Sequence, residues 1–206
     1  VYVAGYTYGG LDGNSSAGSS DLFVVKYYDN GTKDWTKQIG AYRAEMPGDV
    51  HVDSSDNMYI LGSTDRGGID SNSSAGGFDP FVVKYNSSGT KQWSVQLGTD
   101  AEDYGRGVTT DSSGNVYVTG YTGGALHGET NSGNRDSFIV KYNSSGSKQW
   151  TKLFGTSGDD HATSIFVNTS DDVFITGYTK GGLDGNSHQG SDDIFIVKYN
   201  SDGVKQ

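Results

Sequence analysis

The sequence predicts an all-β protein assembled from four-stranded antiparallel units that recur about every 57 residues. Three observations carry this. Short runs of alternating apolar and polar residues are separated by Gly, Asn, Asp and Ser clusters, the pattern of strands joined by turns. One strand occurs four times in register, at Val1–Thr7, Met58–Thr64, Val116–Thr122 and Val173–Thr179, and each copy is followed by a second strand at Phe23–Tyr27, Phe81–Tyr85, Phe138–Tyr142 and Phe195–Tyr199. Trp recurs at 35, 93 and 150, while no stretch of helical length carries a 3.6-residue apolar period.

Each full unit reads as four strands, A to D. In the cleanest copy A lies near Gly105–Thr110, B is Val116–Thr122, C is Phe138–Tyr142 and D is Lys148–Phe154. The units span about 1–39, 40–97, 98–154 and 155–206, the first without its A strand and the last with only the beginning of D. Strand A of the second unit is the poorest match, at Gly48–Val52, with Pro47 before it, as suits a strand start or edge. Asn30-Gly31 is a hairpin signal, since both residues tolerate positive φ. In strand C, Phe138, Val140 and Tyr142 face one way and Ile139 and Lys141 the other. Both faces of strand B carry bulk, so the sheets are expected to be covered on two sides. A four-stranded unit is too small to bury both faces alone, and radial stacking of such units makes a β-propeller. The glycine in every B strand, at 5, 62, 120 and 177, fits a close approach of backbones or a bulge. The tryptophans are expected to pack between units.

Composition limits the function classes. The chain has 206 residues, no Cys, 32 Gly and a formal charge of -10. An acidic balance argues against nucleic acid and anionic membrane partners. No run is long enough to span a bilayer, and a disulfide framework is excluded. Abundant Thr, Ser, Asn, Gly and Tyr lean towards an extracellular or cell-surface location.

The motifs resemble a known family. Asp111-Ser-Ser-Gly-Asn-Val-Tyr-Val-Thr-Gly-Tyr-Thr122, then Asp136-Ser-Phe-Ile-Val-Lys-Tyr-Asn143 and Gln149-Trp150, is similar to the SBBP repeat, the bacterial beta-propeller repeat. Asp53–Tyr59 with Phe81–Asn86 and Trp93 follows the same pattern, as does Val173–Thr179 with Phe195–Asn200. Departures lie in the A regions, at the Pro47 segment and at Asn168, which stands where Asp53 and Asp111 stand. The resemblance implies a propeller in a secreted or surface bacterial protein, without a shared catalytic motif. It also implies a larger ring, of which these units form part, completed by further sequence or by another chain.

The long B–C loops repeat as well, and all four are expected to project from one face. Asp12, Asn14 and Asp21 recur as Asp70, Asn72 and Asp79, and as Asp184, Asn186 and Asp193. Oxygen donors at alternate positions in a glycine-rich turn can wrap Ca²⁺ with help from backbone carbonyls. The competing reading is a set of Asx turns, in which the side chains cap their own loop amides. The third copy carries His127 and Glu129 at the first two positions and is expected to bind a hard cation less well. The four histidines, 51, 127, 161 and 188, occupy unrelated repeat positions without Cys or a zinc motif. Glu45, Asp103 and Asp160 recur in the D–A connection, and a carboxylate in every unit reads as scaffold. The expected function is therefore a non-catalytic extracellular interaction or structural module, calcium-stabilised, binding glycan or protein through the B–C loops. Two alternatives stand beside it. One is a polysaccharide-active hydrolase or lyase with a unique acidic cleft, which requires a non-repeated cluster of acids and bases lining that one cleft. The other is a self-assembling envelope or filament component.

Overall fold

The computed structural model covers residues 1–206 and contains four antiparallel sheets in a propeller-like arrangement. The first sheet holds β1 (Tyr2–Thr7), β2 (Asp21–Tyr27) and β3 (Lys33–Ile39). The second holds β4 (Glu45–Val52), β5 (Met58–Asp65), β6 (Phe78–Tyr85) and β7 (Lys91–Gln96). The third holds β8 (Asp103–Thr110), β9 (Val116–Thr122), β10 (Asp136–Tyr142) and β11 (Lys148–Phe154). The fourth holds β12 (Asp160–Val167), β13 (Val173–Thr179) and β14 (Asp193–Tyr199). Neighbours in each sheet are consecutive in sequence, so every connection is a hairpin or a step to the next sheet. No helix is long and apolar enough to cross a membrane.

The turns follow from their residues. In the β8–β9 turn, Asp111 Oδ1 accepts the amides of Ser113 and Asn115 at 3.0 and 2.9 Å, and Gly114 takes φ +75°. The β2–β3 hairpin departs from the two-residue reading of Asn30-Gly31. Only Gly31 has positive φ, and a register shift between Lys26 and Tyr27 closes the turn. A one-residue bulge also sits in each A strand, at Gly48, Arg106 and Thr163. The B-strand glycine makes room beside it: a Cβ on Gly120 would fall 1.8 Å from the Tyr104 carbonyl oxygen. Close approach in B and a bulge in A are thus one device.

Three apolar cores lie between successive sheets. Leu22, Val24 and Ile39 of the first pack on Met58, Ile60 and Phe81 of the second. Tyr59, Leu61 and Val82 pack on Val118, Phe138 and Val140. Tyr117, Ile139 and Phe154 pack on Ile175, Phe195 and Val197. Strand β9, covered on both faces, is buried throughout. Tryptophan hydrogen bonds fasten the second and third joints, while Trp35 Nε1 at the first has no partner. Trp93 Nε1 donates to Ser144 O at 3.0 Å, and Trp150 Nε1 to Ser201 O at 3.2 Å.

Candidate functional site

The repeat places one end of β8, β9, β12 and β13 beside the B–C loops. There the third and fourth sheets meet in a cluster that the repeat does not reproduce. The His161 ring stacks on the Tyr121 ring, with centroids 3.9 Å apart and planes 11° from parallel. Tyr178 Oη lies 2.7 Å from His161 Nδ1. Arg106, the bulged residue of β8, donates from Nη2 to Tyr121 Oη at 3.0 Å. A bulge re-aims a side chain that regular pairing would send elsewhere. The Arg106 guanidinium also lies 5.4 Å from the Tyr104 and Tyr121 rings, and Arg135, at the end of the B–C loop, lies 5.7 Å from Tyr121. Tyr104 continues the aromatic row, stacked on Phe78 at 5.2 Å and donating to Glu102 Oε2 at 2.9 Å.

The electrostatics distinguish this patch from the rest of an acidic chain. His161 is 9 % exposed. Burial, and then the positive charge of Arg135, push its imidazole below the ordinary histidine value. At neutral pH it is uncharged, and its Nε2 has no hydrogen-bond partner. Burial, with the Glu102 carboxylate next, pushes the Tyr104 phenol up to about 12. Asp159 is held low by its bond to Lys180 at 3.0 Å. The patch therefore combines a neutral imidazole–phenol pair with two guanidinium groups and two further phenols, Tyr121 and Tyr104. A neutral imidazole bonded to a phenol can move a proton, and guanidinium groups can take up a developing negative charge.

The residues singled out for calcium have other partners. Asp12 accepts from Lys33 Nζ at 2.7 Å and Thr36 Oγ1 at 2.5 Å. Asp70 is bonded to Lys91 and Ser94, and Asp184 to Lys205. Asn14, Asn72 and Asn186 turn their amide nitrogens to Leu11 O, Ile69 O and Leu183 O at 2.8, 2.9 and 2.8 Å. Asp21, Asp79 and Asp193 accept the amides of Ala17, Ala75 and Gln189 at 2.8, 2.7 and 2.8 Å. In the third loop, His127 Nδ1 meets Thr151 Oγ1 at 2.8 Å, and Glu129 pairs with Lys152. No group of three or more acidic or histidine side chains is placed to hold a metal ion. The recurring acids Glu45, Asp103 and Asp160 are buried, and the last two cap Thr99 N and Thr156 N at 2.5 and 2.6 Å. They are scaffold.

His161 stood out in the sequence only as a histidine without a zinc motif, and the signal of the cluster lies in its departures from the repeat. His161 stands where Tyr104 and Met46 stand in the other units, and Arg106 where Gly48 and Thr163 stand.

The family described as SBBP, Beta-propeller repeat, matches residues 92–126. An uncharacterized WD repeat-containing protein, L264, of Acanthamoeba polyphaga mimivirus is 25% identical over 95% of this chain. The regulatory protein FlaEY of Caulobacter vibrioides is 28% identical over 78% of it. The chain spans 18% of the length of each of these relatives. Among solved structures, a Bacteroides caccae protein of unknown function matches with TM-score 0.51, 12% identity, and coverage of 90% of this chain and 55% of its own. A polysaccharide lyase of family PL25, an ulvan lyase bound to -[GlcA(1-4)Rha3S]-, matches with TM-score 0.52 and 15% identity over 99% of this chain and 54% of its own. These likenesses correct the expectation of a non-catalytic interaction module that is not an enzyme. The lyase match covers 99% of this chain and 54% of the lyase's own, and at 15% identity it shows a shared fold.

Proposed function

We propose that this chain is part of a polysaccharide-degrading enzyme that cleaves an anionic, uronate-containing glycan by elimination, and that its sheets are blades of one propeller. The observation that carries the reading is the His161–Tyr178 pair beside Arg106 and Arg135, at one place only in an otherwise repetitive, acidic chain. The fold likeness to a lyase supports it. In elimination, the proton on the carbon beside the uronate carboxylate is removed. Its electron pair forms a double bond to the next carbon, and the glycosidic carbon–oxygen bond breaks. The arginines suit the carboxylate, whose negative charge grows as the proton leaves. The imidazole–phenol pair suits both proton steps, taking one proton from carbon and delivering one to the departing oxygen. The stacked rings of Tyr104, Tyr121 and Phe78 offer a platform for the sugar. A polymeric substrate of this kind supports an extracellular location.

The test is incubation of the purified chain with glucuronate-containing and neutral polysaccharides, followed by ultraviolet absorbance and mass spectrometry of the products. Unsaturated uronate ends from the acidic polymers only are expected. Saturated, hydrolysed ends, or no cleavage of any uronate polymer, would refute elimination.

A further inference from the structure

Arginine and lysine divide the molecule between them. The chain has four arginines, Arg43, Arg66, Arg106 and Arg135. Arg43 lies in the connection from β3 to β4, Arg66 just after β5, Arg106 in the first half of β8 and Arg135 just before β10. All four sit at the end of the sheets where A strands begin and B strands finish. Every lysine except Lys180 lies instead in the C and D strands. Arginine presents a planar fork that can hold a carboxylate through two N–H groups at once, which lysine does not. Arg106 and Arg135 belong to the cluster around His161. The other two do not, and Arg43 is no part of the repeat, standing where Ala101 and Gly158 stand.

Arg66 enters by an insertion. Met58 and Phe81 are 23 positions apart, whereas Val1 and Phe23, Val116 and Phe138, and Val173 and Phe195 are 22 apart. The pair Asp65-Arg66 stands where the other units have one residue, Tyr8, Gly123 or Lys180. Arg66 is exposed and takes φ +48°, a left-handed backbone that a long side chain adopts at a cost. It forms none of the chain's ion pairs. The inserted segment lies along the connection that carries Arg43. Asp65 N donates to Ala44 O at 3.0 Å, and a Cβ on Gly67 would fall 2.7 Å from Ala41 Cβ. Arg43 donates from Nε to Tyr42 Oη at 2.9 Å and from Nη1 to Asp65 Oδ2 at 3.4 Å, which fixes the guanidinium and leaves Nη2 without a partner. Tyr42 is 66% exposed, with its ring 5.3 Å from that guanidinium.

A continuous row joins this group to the cluster. Asp65, which receives Arg43, is the cross-strand partner of Phe78. Phe78 stacks on Tyr104, Tyr104 lies 5.2 Å from Tyr121, and Tyr121 stacks on His161. The middle joint carries the exposed Asp100 and no arginine, so a sugar there is held by ring stacking rather than by charge. The row runs across joints that have a sheet on either side.

We propose that Tyr42, Arg43 and Arg66 form a second uronate subsite, which takes the carboxylate of a sugar remote from the bond that is broken. This rests on the reading of the chain as an enzyme acting on an anionic glycan. A polymer with regularly spaced carboxylates lies along the aromatic row, with one acid group at Arg43 and Arg66 and another at Arg106 and Arg135. Two contacts on one chain raise its affinity beyond that of either alone.

The experiment is calorimetric titration of a glucuronate polymer into the Tyr178→Phe protein, so that cleavage does not consume the ligand. The same titration is made with Arg43→Gln, Arg66→Gln or Lys148→Gln added, and cleavage of the polymer by the wild type is followed alongside. The Arg43 side chain is 42% exposed and Arg66 is exposed, so neither change should cost folding, which circular dichroism checks. Each arginine substitution should weaken binding about 10-fold. Lys148→Gln, which removes the same charge from an exposed position on β11, should leave it unchanged. Affinity that either arginine substitution leaves intact would overturn the subsite. So would an equal loss with Lys148→Gln, or a polymer that does not bind. The two readings fail separately. Binding through both arginines without cleavage by the wild type sinks elimination and leaves the subsite, whereas cleavage with affinity indifferent to the arginines sinks the subsite alone.

Discussion

Replacing Glu45 by Gln should stabilise the protein above neutral pH and do nothing below pH about 4.5. Glu45 is 1% exposed, and its Oε2 has no hydrogen-bond partner. Burial is the main cause that lifts its carboxyl from 4.5 to about 7, with the nearby Asp21 and Asp65 charges adding to it. Bonds from Thr64 Oγ1, at 2.8 Å, and the Ala41 amide work the other way. Because the folded value lies above the unfolded one, the fold disfavours the ionised form. Stability is complete below the unfolded value and declines as pH rises towards and through 7. At about 1.4 kcal/mol per pH unit, the full cost well above pH 7 is about 3 kcal/mol. Glutamine keeps an oxygen for Thr64 and places an amide where the unpaired oxygen lies. Urea unfolding at about pH 9 should show a gain approaching this figure, and at about pH 4 no gain. Equal stability at both pH values, or a loss at the higher one, would refute the assignment of a burdened carboxylate.

Other changes probe the joints and loops. A Cβ on Gly146, at φ +82°, would sit 3.0 Å from the Trp93 ring. Gly146→Ala should therefore cost about 2–4 kcal/mol, combining a left-handed backbone with overpacking, as read from thermal melts. Asp111 accepts from Ser113 N, Asn115 N, Asn115 Nδ2 and Tyr117 Oη. Asp111→Ala should accordingly cost about 3 kcal/mol or more, and a loss below about 1 kcal/mol would contradict this role. Calorimetric titration of Ca²⁺ into chelator-treated protein is expected to give no saturable uptake, since Lys33, Lys91 and Lys205 hold the leading loop aspartates. Saturable binding with a raised melting temperature would make the loops calcium sites.

The strands were legible because a period of two marks them in every unit, with a Gly-Tyr-Thr ending in three and Gly62-Ser63-Thr64 in the other. The bulge at Arg106 was not, because an extra residue in one strand is defined by its partner's register. The loop aspartates were visible as oxygen donors, but nothing local reveals that Lys33 and Thr36, some twenty residues on, take those oxygens. His161 and Tyr178 are seventeen residues apart and join only because β12 and β13 pair antiparallel. Tyr121 belongs to a different sheet. Such a site appears in sequence only as departures from the repeat.

The central claim is that the imidazole–phenol pair and its arginines perform chemistry. The most direct measurement is kcat/KM for release of unsaturated ends from a glucuronate polymer by wild type, Tyr178→Phe and Arg135→Ala, with melting temperatures alongside. The account predicts losses on the order of 100-fold or more for each variant at little change in stability. Tyr178→Phe should lower kcat, since it removes only the hydroxyl. Wild-type rates in both variants, or losses matched by unfolding, would contradict it.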